Sequence, residues 1–164
     1  MGYIAVNTTA EFVRLDINSG TFAGTPSVAA ELAFADTANV LTIPALQDIT
    51  VNATPGTFEW QQLNELSSLI VTTPSTNSLS TNMVLDATAF FDGNGTTDGI
   101  FDLTNNKAIV YFRMYWQGVA SADRYIQGKA YLSSLAPTVS ATAPVWVAPV
   151  ELLVVGDFLS GAVI

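Results

Sequence analysis

Cysteine and histidine are both missing from the 164 residues, and each absence closes a branch of chemistry. Without thiols there is no disulfide framework and no thiolate metal site. Without imidazole the chain lacks the usual general base, the proton switch near neutral pH and the commonest nitrogen ligand for zinc, copper or nickel. Charge is scarce as well: 12% of residues are charged, against about 25% in soluble domains. Only five residues are basic against fourteen acids, a net charge of −9. Holding nucleic acid by phosphate neutralisation needs clustered Lys and Arg, so that class of function is excluded. No apolar run has the length of a membrane span, and MGYIAVNTTAEF lacks the basic and apolar regions of a signal peptide. The expectation is a soluble chain made in the cytoplasm, with no membrane insertion. The Gly-x-Ser-x-Gly, P-loop and Rossmann glycine patterns are also absent.

What is present is apolar: 49% of residues are hydrophobic. A chain with so little polar material leaves apolar patches in water, and such patches mark sites of association. Charge depletion is also what interface cores show. The alternative is a monomer coated by its many Thr, Ser, Asn and Gln residues. The length fits one domain, residues 1–164, large enough to bury a core unaided.

Alternation with a period of two dominates the chain. In KAIVYFRMYWQ, Val110, Phe112, Met114 and Trp116 fall on one face, and Ile109, Tyr111, Arg113 and Tyr115 on the other. Neither face is simply polar, as expected where the second face meets another subunit or where the strand is central and fully buried. RYIQGKAYLSSL and PVWVAPVELLVVGDF read as further strands, the latter placed at an edge or bulge by Pro144 and Pro149. EFVRLDI, SVAAELAFA, NVLTIP, DITVNA and NMVLDATAFF (82–91) complete the set, separated by turn-forming residues. FEWQQLNELSSL fits a helix or a strand equally. TTPSTNSLSTN (72–82) reads as a mobile loop. One short helix is expected from Gly99 to Asn105–Asn106, capped by Thr96-Thr97-Asp98 and closed by a left-handed Asn. The fold class is therefore all-β: two packed antiparallel sheets, sandwich- or barrel-like, with one short flanking helix.

Candidate chemistry is thin. Asp92-Gly93-Asn94-Gly95-Thr96-Thr97-Asp98 has oxygens spaced like a calcium loop, but Thr97 stands where an EF-hand needs glycine and Leu103 where it needs glutamate. A glycine-rich turn before a helix is the better reading. Asp98 with Asp102, or Glu59 with Glu65, could be proposed as a glycosidase carboxylate pair, yet evenly spread surface acids account for them. Trp60, Trp116, Trp146 and Tyr111, Tyr115, Tyr125, Tyr131 could line a sugar-binding face, but fit better as core or interface anchors. The five cations, Arg14, Lys107, Arg113, Arg124 and Lys129, are so few that each is expected to pair with an acid of its own or a neighbouring subunit.

From Thr57 to Phe158 the order of features resembles the tail tube (major tail) proteins of long-tailed bacteriophages. FEWQQLNELSSLIVTTP is similar to that family's segment where a Trp opens a strand leading into a long loop. NMVLDATAFF with DGNGTTDGIFDL is similar to its strand and flanking helix. AIVYFRMYW and RYIQGKAYLSSLAPTVSATAPVWVAPVELLVVGDF resemble its closing strands. The resemblance implies a non-enzymatic virion protein without cofactor or metal, a β-sandwich that forms hexameric rings stacked into the tail tube through which DNA is delivered. Its implied partners are itself, other tail proteins and passing DNA held by no specific contact. It would be made in the host cytoplasm and reside in the virion tail. Residues 72–82, the N-terminal segment and the ending LSGAVI are, by this analogy, candidates for contacts between rings. Subunit or ring interface candidates are Trp60, Thr73, Pro74, Asn77, Tyr111, Arg113, Tyr115 and Arg124. The alternatives are a capsid-decoration or head–tail connector protein, or a secreted carbohydrate-binding module.

Overall fold

The computed structural model describes residues 13–19, 40–43, 46–61, 68–95, 97–116 and 122–163. SVAAELAFA, the N-terminal segment and the turn after Trp116 lie outside them. The elements are β1 (Arg14–Asn18), β2 (Leu41–Thr42), β3 (Leu46–Gln61), β4 (Ser68–Val84), α1 (Thr88–Asp92, wound as a π-helix), α2 (Ile100–Asn105), β5 (Ile109–Tyr115), β6 (Arg124–Leu135), β7 (Thr138–Ser140), β8 (Ala143–Val154) and β9 (Leu159–Ala162). The chain is all-β, and every strand pairing is antiparallel.

The expected two sheets are hydrogen-bonded as one. Nine strands run in the order β2-β1-β5-β6-β8-β4-β3, with β7 on β8 and β9 on β6. The physical reason lies in β6, which is long enough to use two partners along one edge. Its first half, Arg124–Gln127, pairs with β9, and its second, Ala130–Leu135, with β8. Hydrogen bonds thus carry across where two sheets would have parted. Both halves still close on a single core: Leu15, Ile17, Val110, Phe112 and Met114 pack in one cluster with Leu79, Met83, Val150 and Leu152.

β5 is a central strand flanked by β1 and β6 and covered on both faces, so the subunit itself buries the aromatic second face. β8 is not an edge strand but lies between β4 and β6. Its second edge changes partner from β7 at Val147 to β6 at Val150, and Pro149, which has no N–H to donate, sits at that change. Residues 72–82 are no loop; they belong to β4, and from Asn77 to Val84 that strand has β3 on one side and β8 on the other. Their Thr, Ser and Asn content reads as disorder by composition, but alternation wins: Asn77, Leu79, Thr81 and Met83 are buried in period two. Of LSGAVI, Leu159–Ala162 pair in the sheet as β9.

NMVLDATAFF is a strand only to Val84. Asp86 then turns the chain, its Oδ1 accepting the N–H of Ala89 at 3.1 Å, and starts α1. α2 falls where the sequence placed a helix, with Ile100 and Leu103 facing the core. Its caps differ from expectation. Gly99 takes the N-cap position with no side-chain cap, and Asn106 stays right-handed; Lys107, at φ 51°, makes the left-handed turn.

Candidate assembly surface

The hairpin of β3 and β4 is far longer than the body that supports it. β8 accompanies β4 only as far as the rung Asn77↔Val154. Beyond it, rungs from Gly56↔Thr73 to Gln61↔Ser68 form a two-stranded ribbon, an arm of about 20 Å at about 3.3 Å per residue. Pleating sorts its side chains by face. Phe58↔Val71 and Trp60↔Leu69 are cross-strand partners, so these four share one face, and Phe58 and Trp60 have ring centroids 5.9 Å apart. Thr57, Glu59 and Gln61 stand on the other face with Thr72 and Ile70. The apolar face is in water: Phe58 is 58% exposed, Val71 46%, Leu69 42% and Trp60 37%. A two-stranded ribbon is marginal in water by itself, and a contiguous apolar strip on one invites a partner.

A second apolar region lies beside the helices. Phe90, Phe91 and Phe101 stack edge to face and tilted at centroid distances of 4.7, 5.9 and 6.1 Å. A cleft of about 370 Å³ between α1 and β8 is lined by Leu85, Phe90, Phe91, Pro137 and Trp146. Phe91, Phe101 and Trp146 are largely exposed.

The polar-aromatic face of β5 is interior. Tyr111, Arg113 and Tyr115 are buried, Arg113 to 3% exposure, leaving little surface to offer a neighbour. The Arg113 guanidinium lies 4.2 Å from the Tyr125 ring centroid, and its Nε and Nη2 both donate to Gln127 Oε1, at 3.2 and 2.8 Å. Asp16 is its direct neighbour across the β1–β5 ladder. Asp16 Oδ1 accepts from Arg14 Nε at 2.7 Å and from the Thr42 hydroxyl at 2.8 Å. Burial pushes the Asp16 carboxyl above its usual value; Arg14, Thr42 and Arg113 pull it partly back. This cluster stitches β1, β2, β5 and β6 on the face turned away from the main core.

The candidates named from sequence therefore scatter. Trp60, Thr73 and Pro74 lie exposed on the arm or at its root, and Arg124 is exposed where β6 meets β9. Asn77 is buried at the arm's root, and Tyr111, Arg113 and Tyr115 lie inside. Phe58, Leu69 and Val71 were not among the interface candidates; the alternation in Phe58-Glu59-Trp60 carries a signal for the first, whereas Leu69-Ile70-Val71 is apolar throughout and marks no face. The glycine-rich turn uses its own oxygens: Asn94 Oδ1 accepts the N–H of Thr97 at 2.7 Å. Asp98 and Asp102 are exposed surface acids.

No protein-family model and no curated protein matches the chain. Its fold is that of phage-type tail tube subunits. A chain of the SPP1 tail tube, solved by solid-state NMR and cryo EM, superposes with a TM-score of 0.64 at 15% identity, over 93% of this chain and 77% of that one. A chain of the tail of an empty GTA particle, refined helically with C6 symmetry, gives 0.57 at 12% identity, over 76% and 87%. A chain of the virion of a native gene transfer agent particle gives 0.52 at 13% identity, over 75% and 89%.

Proposed function

We propose that the chain is a structural tail tube subunit, in which six copies close into a ring and rings stack into a hollow conduit for DNA in the virion tail. The observation that carries this reading is the arm, a solvent-exposed ribbon whose strip of Phe58, Trp60, Leu69 and Val71 is left uncovered by the described residues. The shared fold with chains from a tail tube and from a tail of C6 symmetry supports it. In such a stack the arm of each subunit lies against the next ring, taking the role that sequence gave to residues 72–82 as a loop.

The acidity supports the conduit. Six chains of −9 each make a strongly negative ring, and a polyanion passes an acidic wall without sticking, provided enough acids face inward. The role needs no catalysis and no cofactor. Its partners are copies of itself, other tail proteins at the ends of the column and DNA in transit. Negative-stain electron microscopy of the purified chain tests the reading: sixfold rings or tubes are expected, and a population of monomers or trimers at high concentration overturns it.

A further inference from the structure

The arm leaves the body through a joint. The β3–β4 ladder is regular from Asp48↔Asn82 to Thr54↔Thr76 and resumes at Gly56↔Thr73. Between these rungs lie one residue of β3, Pro55, and two of β4, Pro74 and Ser75. A one-against-two irregularity bends a strand pair, and neither proline can donate a ladder hydrogen bond. Here the strands also run too close for a side chain at position 56 of β3: a Cβ on Gly56 would collide with the Thr73 hydroxyl and the Pro74 carbonyl. The joint coincides with the loss of β8 as a third strand, so among the described residues no other ladder holds the arm's angle.

Three polar side chains meet at this break. Asn77 Nδ2 donates to the Gly156 carbonyl at 2.7 Å and to Ser75 Oγ at 3.2 Å, and Ser75 Oγ donates to Asp157 Oδ1 at 2.7 Å. Gly156 and Asp157 belong to the turn between β8 and β9, and Gly156 holds φ 91° there. The turn thus grips β4 at the joint, next to a cleft of about 290 Å³ lined by Ala53, Pro55 and Phe158 into which the ribbon could otherwise tilt.

We propose that Ser75, Asn77 and Asp157 form a positioning clamp that holds the arm at one angle to the body, so that its apolar face meets the next ring in register. This rests on the reading of the arm as a ring-to-ring connector. The clamp acts through hydrogen bonds rather than charge, so Asp157→Asn, which keeps an acceptor oxygen for Ser75, preserves it. Asp157→Ala and Ser75→Ala remove the Ser75–Asp157 link, the part of the clamp that holds the residue inside the joint, and leave the Asn77–Gly156 bond and the buried core in place.

The chain has no cysteine, so spin labels can be placed at will on the exposed positions Thr72→Cys, on the arm, and Ser160→Cys, on β9. Electron–electron double resonance on the labelled monomer is expected to give one narrow distance distribution for the parent and for Asp157→Asn. For Asp157→Ala and Ser75→Ala it should be at least twofold wider. The same alanine variants, unlabelled, should need at least fivefold more protein to form tubes, with Asp157→Asn restoring the parent value. An unchanged width overturns the clamp, and so does a widened distribution with unchanged assembly. A parent that never polymerises instead removes the connector reading, while the distances still decide whether the clamp holds the arm.

Discussion

Replacing both Phe58 and Trp60 by alanine strips the arm's apolar face at its two largest side chains. An aromatic side chain buries about 150–250 Å², so exposures of 58% and 37% leave roughly 180 Å² of ring surface in water on each arm. At about 25 cal/mol per Å² its complete burial is worth about 4.5 kcal/mol. Incomplete covering and the ordering of side chains on association halve that to about 2 kcal/mol. Each subunit added to a tube brings one arm, so the concentration of free subunit in equilibrium with tubes rises by about 30-fold, at 1.4 kcal/mol per factor of ten. Sedimentation of tubes across a concentration series reads this value directly. Because neither ring packs into the buried core of the isolated subunit, its thermal midpoint should move by less than about 2 °C. A folded double variant that polymerises at the parent's concentration refutes the assignment of the arm to assembly.

Other outcomes follow from the buried cluster and the composition. Arg113→Ala leaves the buried Gln127 without its donor and Asp16 with Arg14 as its remaining cation, and should lower stability by about 2–4 kcal/mol in denaturant unfolding; loss of assembly at unchanged stability would instead return Arg113 to an interface. Asp16 has a folded-state pKa above its ordinary 3.8, so the charged form is the disfavoured one in the fold. Its own titration stabilises the subunit as pH falls through the interval above 3.8, and the stability of the parent relative to Asp16→Asn should rise between pH 7 and about pH 4. A flat difference across that range contradicts the burial of the charge. Gly161→Ala drives a Cβ into the Tyr125 hydroxyl and should cost about 1–3 kcal/mol by unfolding, with β9 losing amide protection first. Raising ionic strength from about 0.01 to 0.15 M shortens screening from about 30 to 8 Å, so like-charged subunits should polymerise at lower concentration.

Period-two alternation made the β class and the two faces of β5 readable from sequence; on β8 it puts Trp146, Ala148, Val150, Leu152 and Val154 on one face, of which the middle three are buried while Trp146, past the end of the neighbouring β6, is exposed. α2 was read from its flanking residues, Thr96-Thr97-Asp98 and Asn105-Asn106; the helix forms there although those caps do not, with Ile100 and Leu103 as its buried face. Whether one or two sheets form was not readable, since it depends on β6 switching partners midway, a property of ladder register rather than of any residue. The same applies to Pro149, whose usual exclusion from interior strands is lifted where the neighbouring strand changes. Residues 72–82 misled because polar composition predicts disorder only when no partner strand supplies the missing burial, and β3 and β8 supply it. The arm was legible in part: Trp60 stood out as an aromatic, whereas Phe58, Leu69 and Val71 needed the rungs Phe58↔Val71 and Trp60↔Leu69 to be seen as a single strip. Tyr111, Arg113 and Tyr115 were expected to meet a neighbour because their face carries aromatics and a cation; cation–ring stacking within the subunit satisfies the same residues.

Each molecule carries its ribbon at one end, and whatever that ribbon grips on a neighbour is a different patch of surface. Joints of this kind repeat in a single sense, so a column built from them has a head and a foot that are chemically unlike. One terminus presents uncovered ribbons and the other uncovered receptors. In the proposed tube the two termini therefore offer two chemically different surfaces to whatever meets them.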